Sequence, residues 1–187
     1  MKYKSYTWDN IQQYIYQLSQ KVEQSGQKFD LIVGIARGGL TISHILSDFL
    51  GLPVASFTIA SYKDFKQQKE PVLTYKMGNS LEEKKILLVD DISDSGKSFV
   101  RGIKHLQEMR AKNIKTASLF IKPWTKFKPD FYIKEATEWL IFPYEMKETI
   151  DAFQKQFKKD GLSEKQIINR LKSIKLPTHW IKELKSD

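Results

Sequence analysis

Ile86-Leu-Leu-Val-Asp-Asp-Ile-Ser-Asp-Ser-Gly-Lys-Ser98 is the stretch whose reading decides the fold. Four apolar residues in a row, Ile86 to Val89, read as a strand buried on both faces, the habit of parallel sheets. The punctuation that follows is acidic and then small and polar, and beyond it Phe99, Ile103, Leu106 and Met109 recur at helical spacing. A second run repeats the plan: Leu31-Ile-Val-Gly-Ile-Ala36 leads into Arg37-Gly38-Gly39. A helical stripe of Leu40, Ile45, Leu46 and Phe49 comes next, closed by Gly51 and Pro53.

Working outward, Val54 to Ile59, Lys115 to Ile121 and Glu138 to Phe142 are further strand candidates. Thr7 is the expected N-cap of a helix that places Trp8, Ile11, Ile15, Leu18 and Val22 on one stripe and stops at Gly26. Strands alternating with helices specify an α/β fold with a doubly wound, mainly parallel sheet flanked by helices. Ser61 to Ser80 is crowded with charge and glutamine and shows no firm period, so a mobile loop or irregular hairpin is expected there.

Residues 1–150 form the expected main domain, and 151–187 a basic helical C-terminal extension with nine Lys or Arg against five Asp or Glu. Ser163 is the expected cap of its second helix, ahead of Ile167, Ile168 and Leu171, and Pro177 breaks the pattern.

The chain of 187 residues is 41% hydrophobic, enough for a real core, and carries a formal net charge of +9. A basic excess favours anionic partners without choosing among phosphorylated metabolites, nucleic acid and anionic lipid. The absence of cysteine excludes disulfides, thiolate zinc sites and cysteine nucleophiles. No stretch approaches the roughly 18 apolar residues of a membrane span, and Met1 to Asp9 lacks an apolar signal core, so a soluble cytoplasmic protein is expected. His44, His105 and His179 have no ligand spacing between them and read as structural. Lys155 to Lys159 reads as a solvated face rather than a nucleic-acid surface.

Ligands of open α/β sheets bind beyond the carboxyl ends of the strands, where both punctuated runs fall. Helix-start N–H groups with the hydroxyls of Ser95 and Ser98 suit a phosphate monoester. Asp90 and Asp91, just before them, suit sugar hydroxyls or a hard cation such as Mg2+. Together they describe a site for a sugar phosphate.

Two nucleotide motifs fail nearby. Gly96-Lys97-Ser98 imitates the end of a Walker A loop, but that loop needs glycine where Asp91 stands. Gly34 to Gly39 is a near miss to the dinucleotide fingerprint, with Ala36 for its second glycine and no acidic residue between Ser56 and Ala60.

Ile86 to Ser98 resembles the phosphoribosyl-pyrophosphate (PRPP) motif of the type I phosphoribosyltransferases, and Gly34-Ile-Ala-Arg-Gly-Gly39 resembles their pyrophosphate loop. The resemblance spans about residues 5–146 and is closest to the 6-oxopurine branch, the xanthine-guanine and hypoxanthine-guanine enzymes. It implies the family's fold with a small base-binding hood. It also implies transfer of the phosphoribosyl group from PRPP to hypoxanthine, guanine or xanthine in purine salvage, giving the nucleoside 5'-monophosphate and pyrophosphate.

On this resemblance Asp90 and Asp91 hold the ribose hydroxyls, directly or through Mg2+, and Asp94, Ser95, Gly96, Lys97 and Ser98 wrap the 5'-phosphate. Asp94 also faces purine N7 as general base, and Arg37 and Gly38 hold pyrophosphate across a non-proline cis peptide at Ala36–Arg37. Ser61 and Tyr62 begin the mobile catalytic loop. Lys122 contacts exocyclic O6, Trp139 stacks on the purine, and the Leu140 carbonyl meets the 2-position. Pro143-Tyr144-Glu145 resembles the Pro-Trp that closes this branch's base pocket. The family forms homodimers or homotetramers.

Two other readings keep the PRPP site: transfer to another base, and a PRPP-sensing regulator that binds nucleic acid. The retention of Asp94, Arg37 and Tyr62 favours an enzyme.

Overall fold

The computed structural model describes residues 2–63, 66–78, 80–174 and 176, and for 61–70 the backbone of the described positions only. Its contacts divide the chain into two compact units, residues 11–137 and residues 1–10 with 138–187.

The larger unit carries a six-stranded sheet. In chain order its strands are β2 (Leu31–Ala36), β3 (Val54–Lys63), β4 (Lys66–Tyr75), β5 (Lys85–Ser93), β6 (Asn113–Ile121) and β7 (Phe131–Glu135). In space they run β4-β3-β2-β5-β6-β7. Every pairing is parallel except that of β3 with β4, an antiparallel hairpin with two register shifts. Among the described residues of the Ser61–Ser80 stretch, β4 and the end of β3 form an edge hairpin, the second of the two forms expected there.

The two apolar runs of the sequence are the central neighbours β2 and β5, paired Leu31↔Ile86 through Gly34↔Val89. Ile86, Leu87, Leu88 and Val89 are fully buried, as a strand covered on both faces requires. Helix α2 (Gly38–Leu50) covers one face, its Ser43 and Gly39 lying against Gly34. Helix α3 (Lys97–Glu108) covers the other, its Gly102 against Phe57, Leu88 and Ile35. With helices on both faces the sheet is doubly wound, as expected. Truncating a fully buried side chain such as Leu88 to alanine is expected to cost about 2–5 kcal/mol.

Helix α1 (Trp8–Gln24) buries Ile11, Ile15, Leu18 and Val22, the stripe read from the sequence. Thr7 is its cap: its hydroxyl accepts from the Asn10 N–H, and the Asn10 side chain accepts from the Thr7 N–H, both at 3.2 Å.

In the smaller unit β1 (Tyr3–Ser5) pairs in parallel with β8 (Trp139–Ile141). Helices α4 (Met146–Lys159) and α5 (Glu164–Ser173) belong to the same unit. The expected boundary between residues 150 and 151 lies inside α4. Ser163 caps α5 in a reciprocal box with Gln166, whereas Pro177 and His179 lie outside the described residues. An aromatic row of Tyr6, Phe142, Tyr144 and Trp8 runs through this unit, with Phe142 and Tyr144 stacked at 5.2 Å.

Candidate active site

From β2 the chain passes outward to β3 and β4, then returns across the sheet to β5 on the other flank of β2. The order reverses between β2 and β5, and such switch points open a crevice beyond the carboxyl ends of the strands. Arg37 follows β2 there as the residue before α2, after a cis Ala36–Arg37 peptide. Asp90 and Asp91 stand near the end of β5 and are 9% and 7% exposed.

The two loops interlock. A Cβ on Gly38 would meet the Asp91 carboxylate, and one on Gly39 would meet the Val89 carbonyl oxygen. Only a bare Cα lets the Arg37–Gly39 turn lie flat against the end of β5, which is why glycine stands at both positions.

Helix α3 starts at Lys97 after a bend at Asp94, Ser95 and Gly96, where Gly96 has φ +80. That left-handed conformation is cheap only for glycine, and a Cβ there would also meet Phe127. The N-cap residues of α2 and α3, Arg37 and Gly96, make no side-chain cap bond, and in the first turn of α3 the Lys97 N–H donates to the Ser95 hydroxyl at 3.4 Å; both helix starts lie at the crevice.

A third segment completes this side of the site. After β6, Lys122-Pro123-Trp124-Thr125 makes a turn closed by the Thr125 N–H donating to the Lys122 carbonyl at 3.0 Å. The segment is fastened to the end of β5 and to the bend by several bonds. The Lys122 N–H donates to the Ser93 carbonyl at 3.0 Å, and the Lys126 N–H to the Ser95 carbonyl at 3.3 Å. The Ser93 hydroxyl donates to the Phe127 carbonyl at 2.7 Å, and the Trp124 indole N–H donates to Asp94 Oδ1 at 2.7 Å. Phe127 stacks on the buried Phe99 of α3 at 5.4 Å. Lys122 is only 5% exposed, and its ammonium lies 5.4 Å from the centre of the Trp124 ring.

The structure thus brings Arg37, Gly38, Asp90, Asp91, Asp94 to Ser98 and Lys122 to the carboxyl end of one sheet, each at the end of β2, β5 or β6. Trp139 and Leu140 lie on β8 in the smaller unit. Tyr62 falls on β3, with its side chain outside the described residues, as is that of Ser61. Trp124 and Phe127 escape the sequence reading; the signal for them was a tryptophan two residues past a strand-end lysine.

Asp90 and Asp91 offer a hard cation oxygen donors only, and among the described residues no three His, Cys, Asp or Glu cluster to form a cage. Such a donor set fits Mg2+, which is commonly held by one or two carboxylates with substrate oxygens completing its shell.

Paired carboxylates between two helix starts at a sheet switch point define an α/β protein whose crevice has the chemistry to suit a phosphorylated sugar. The family model of the phosphoribosyl transferase domain matches residues 6–153. The hypoxanthine-guanine phosphoribosyltransferase of Schistosoma mansoni is 33% identical over 116 residues, 58% of this chain but 39% of that protein's length. The xanthine-guanine phosphoribosyltransferase of Cereibacter sphaeroides is 29% identical over 147 residues, 75% of this chain and 85% of that one. Among solved structures, a purine phosphoribosyltransferase from Pyrococcus horikoshii is 35% identical with a TM-score of 0.69, covering 77% of this chain and 94% of that one. The chain belongs to the phosphoribosyl transferase domain family, on the side of the purine phosphoribosyltransferases, enzymes that transfer the ribosyl phosphate group to purine bases.

Proposed function

We propose that this chain joins a 6-oxopurine (hypoxanthine, guanine or xanthine) to PRPP, releasing pyrophosphate and the nucleoside 5'-monophosphate. The observation that carries the reading is the interlock of the Arg37–Gly39 turn with Asp91, which sets a candidate pyrophosphate cradle beside a candidate diol clamp.

In this reading Ser95, Gly96, Lys97 and Ser98 receive the 5'-phosphate at the start of α3, where N–H groups and the helix dipole favour an anion. Asp90 and Asp91 orient the ribose hydroxyls and hold Mg2+, which when bound supplies charge neutralisation of the pyrophosphate. Arg37 and the N–H groups of the following turn stabilise the charge growing on the leaving group. The purine N9–C1' bond forms as the bond from C1' to the pyrophosphate oxygen breaks, and the N7 proton passes to the Asp94 carboxylate. Tyr62 and the β3–β4 hairpin close over PRPP and exclude water, whose attack would waste the substrate.

Lys122 reads O6. As a donor it accepts a 6-oxo group and penalises the 6-amino group of adenine, a discrimination built on an unmatched donor. Trp139 stacks on the purine and the Leu140 carbonyl meets its 2-position. The protein works in cytoplasmic purine salvage as a homodimer or homotetramer. Among the described residues no helix is long and apolar enough to cross a membrane.

The direct test is product formation from PRPP and Mg2+ with hypoxanthine, guanine, xanthine, adenine and uracil in parallel. Turnover of 6-oxopurines is expected; activity confined to adenine or uracil would remove the base assignment while leaving the PRPP site. Asp94→Asn is expected to lower kcat about 10²–10⁴-fold with PRPP affinity retained. A near-normal rate would end the role given to Asp94.

A further inference from the structure

Trp124 is 56% exposed, yet its single hydrogen-bond donor is directed at Asp94 rather than at solvent. The same indole carries the Lys122 ammonium over its ring, within the range of a cation–π contact. Its placement is enforced locally. Pro123 suits the second position of the turn, the 3.0 Å Thr125–Lys122 bond closes it, and the Lys126–Ser95 backbone bond fixes it on the bend. A half-exposed ring adds little to core burial, so packing alone does not account for a tryptophan here.

We propose that Trp124 is a positioning residue for phosphoribosyl transfer. Its N–H orients the Asp94 carboxylate and its π face holds the Lys122 ammonium, so that one rigid side chain sets the spacing between the groups that meet N7 and O6 on the same edge of a 6-oxopurine. The inference rests on the roles proposed above for Asp94 and Lys122. A charge-assisted bond of 2.7 Å is among the stronger polar contacts and anchors the Oδ1 atom of the carboxylate. A planar indole with two torsions loses less freedom than a long flexible donor would.

The test uses steady-state kinetics of the full chain, with Mg2+, PRPP and hypoxanthine or adenine. Trp124→Phe keeps a ring and removes the donor. It is expected to lower kcat about tenfold with the KM for PRPP unchanged and the melting temperature preserved. Trp124→His, which retains a ring N–H, is expected to recover part of that loss. Trp124→Leu removes the ring as well and is expected to raise the adenine-to-hypoxanthine ratio of kcat/KM. In an Asp94→Asn background Trp124→Phe should add no further loss, because the indole acts through that carboxylate. Labelling with 5-fluorotryptophan gives a second readout: the Trp124 fluorine resonance should shift in Asp94→Asn.

A wild-type kcat in Trp124→Phe overturns the proposal, as does a tenfold loss that persists undiminished on Asp94→Asn. A rise in kcat overturns it too, since the indole would then be obstructing Asp94. These outcomes leave the underlying reading intact as long as Asp94→Asn itself collapses turnover. If Asp94→Asn turns over normally, the catalytic reading fails first and the positioning role falls with it.

Discussion

Two helix starts face the crevice, and they are held in opposite ways. The turn before α2 is set from within: Gly38 and Gly39 have no side chain to separate it from Asp91 and Val89 of the next strand. The bend before α3 is set from outside, by the Lys122–Phe127 segment bonded along its length. An inner joint depends on the sheet pairing itself, so disturbing it should damage fold and function together. An outer brace can loosen while the sheet stays intact, and so offers a place to tune activity.

Substitution at the inner joint should give the largest effect. Gly39→Ala drives a methyl against the Val89 carbonyl, with backbone on both sides and nothing flexible to yield. A loss of about 3 kcal/mol is expected by chemical denaturation, with PRPP binding lost in parallel. Full PRPP affinity in this variant would break the contrast.

Phe127→Ala removes the outer brace's stack on Phe99 and should cost about 2 kcal/mol, since Phe127 is only partly buried. Turnover should fall by more than the stability loss explains, with the sheet's circular dichroism unchanged. Equal losses in Gly39→Ala and Phe127→Ala would erase the distinction.

The far end of the brace is anchored by Asp130. Its carboxylate accepts from the Thr116 N–H at 2.9 Å, the Thr116 hydroxyl at 2.8 Å and the Lys115 ammonium at 2.7 Å. Burial by itself would raise this carboxyl's pKa, but the bonds from Lys115 and Thr116 outweigh it and bring it below the ordinary 3.8. The stabilisation is therefore present above that ordinary value and is lost as pH falls through the lowered one. Asp130→Asn should cost about 1 kcal/mol near neutrality, with the difference from wild type shrinking in strong acid. A denaturation series across pH checks it.

The smallest effect belongs to His105 on α3, 4% exposed and edge-on to Phe57. Burial lowers its pKa below 6.5, Arg101 and Lys76 push the same way, and Glu108 opposes them. The unfolded chain takes up this proton more readily, so stability is full above about pH 6.5 and declines as pH falls toward the folded value. The wild-type melting temperature should drop between about pH 7 and 5.5, and His105→Gln should flatten that slope.

The contrast between joint and brace also separates what the sequence discloses from what it conceals. Leu31–Ala36 and Ile86–Val89 are legible because burial on both faces leaves an unbroken apolar run, and the α1 stripe because one buried face leaves a period. β4 is illegible for the converse reason: an edge strand bearing Lys66, Lys69, Glu70 and Pro71 has little need of an apolar pattern. β1 and β7 are three and five residues long, and β1 exists by pairing with a strand more than 130 residues away. The residues at the ends of β2 and β5 were readable as a local motif. Trp124 was not, because its place beside Asp94 follows from the parallel register of β5 with β6, which pairs Ser93 with Ile121.

The pairing of Gly34 with Val89 has a consequence in time as well as in space. During synthesis the candidate pyrophosphate turn leaves the ribosome about 55 residues before the strand against which it folds. At about 5–20 residues per second that is a wait of several seconds. Non-local closure of this kind is the slow step of sheet assembly. The earliest-made part of the site thus acquires its shape only once a much later strand has been made, and no nascent fragment ending before β5 can hold it.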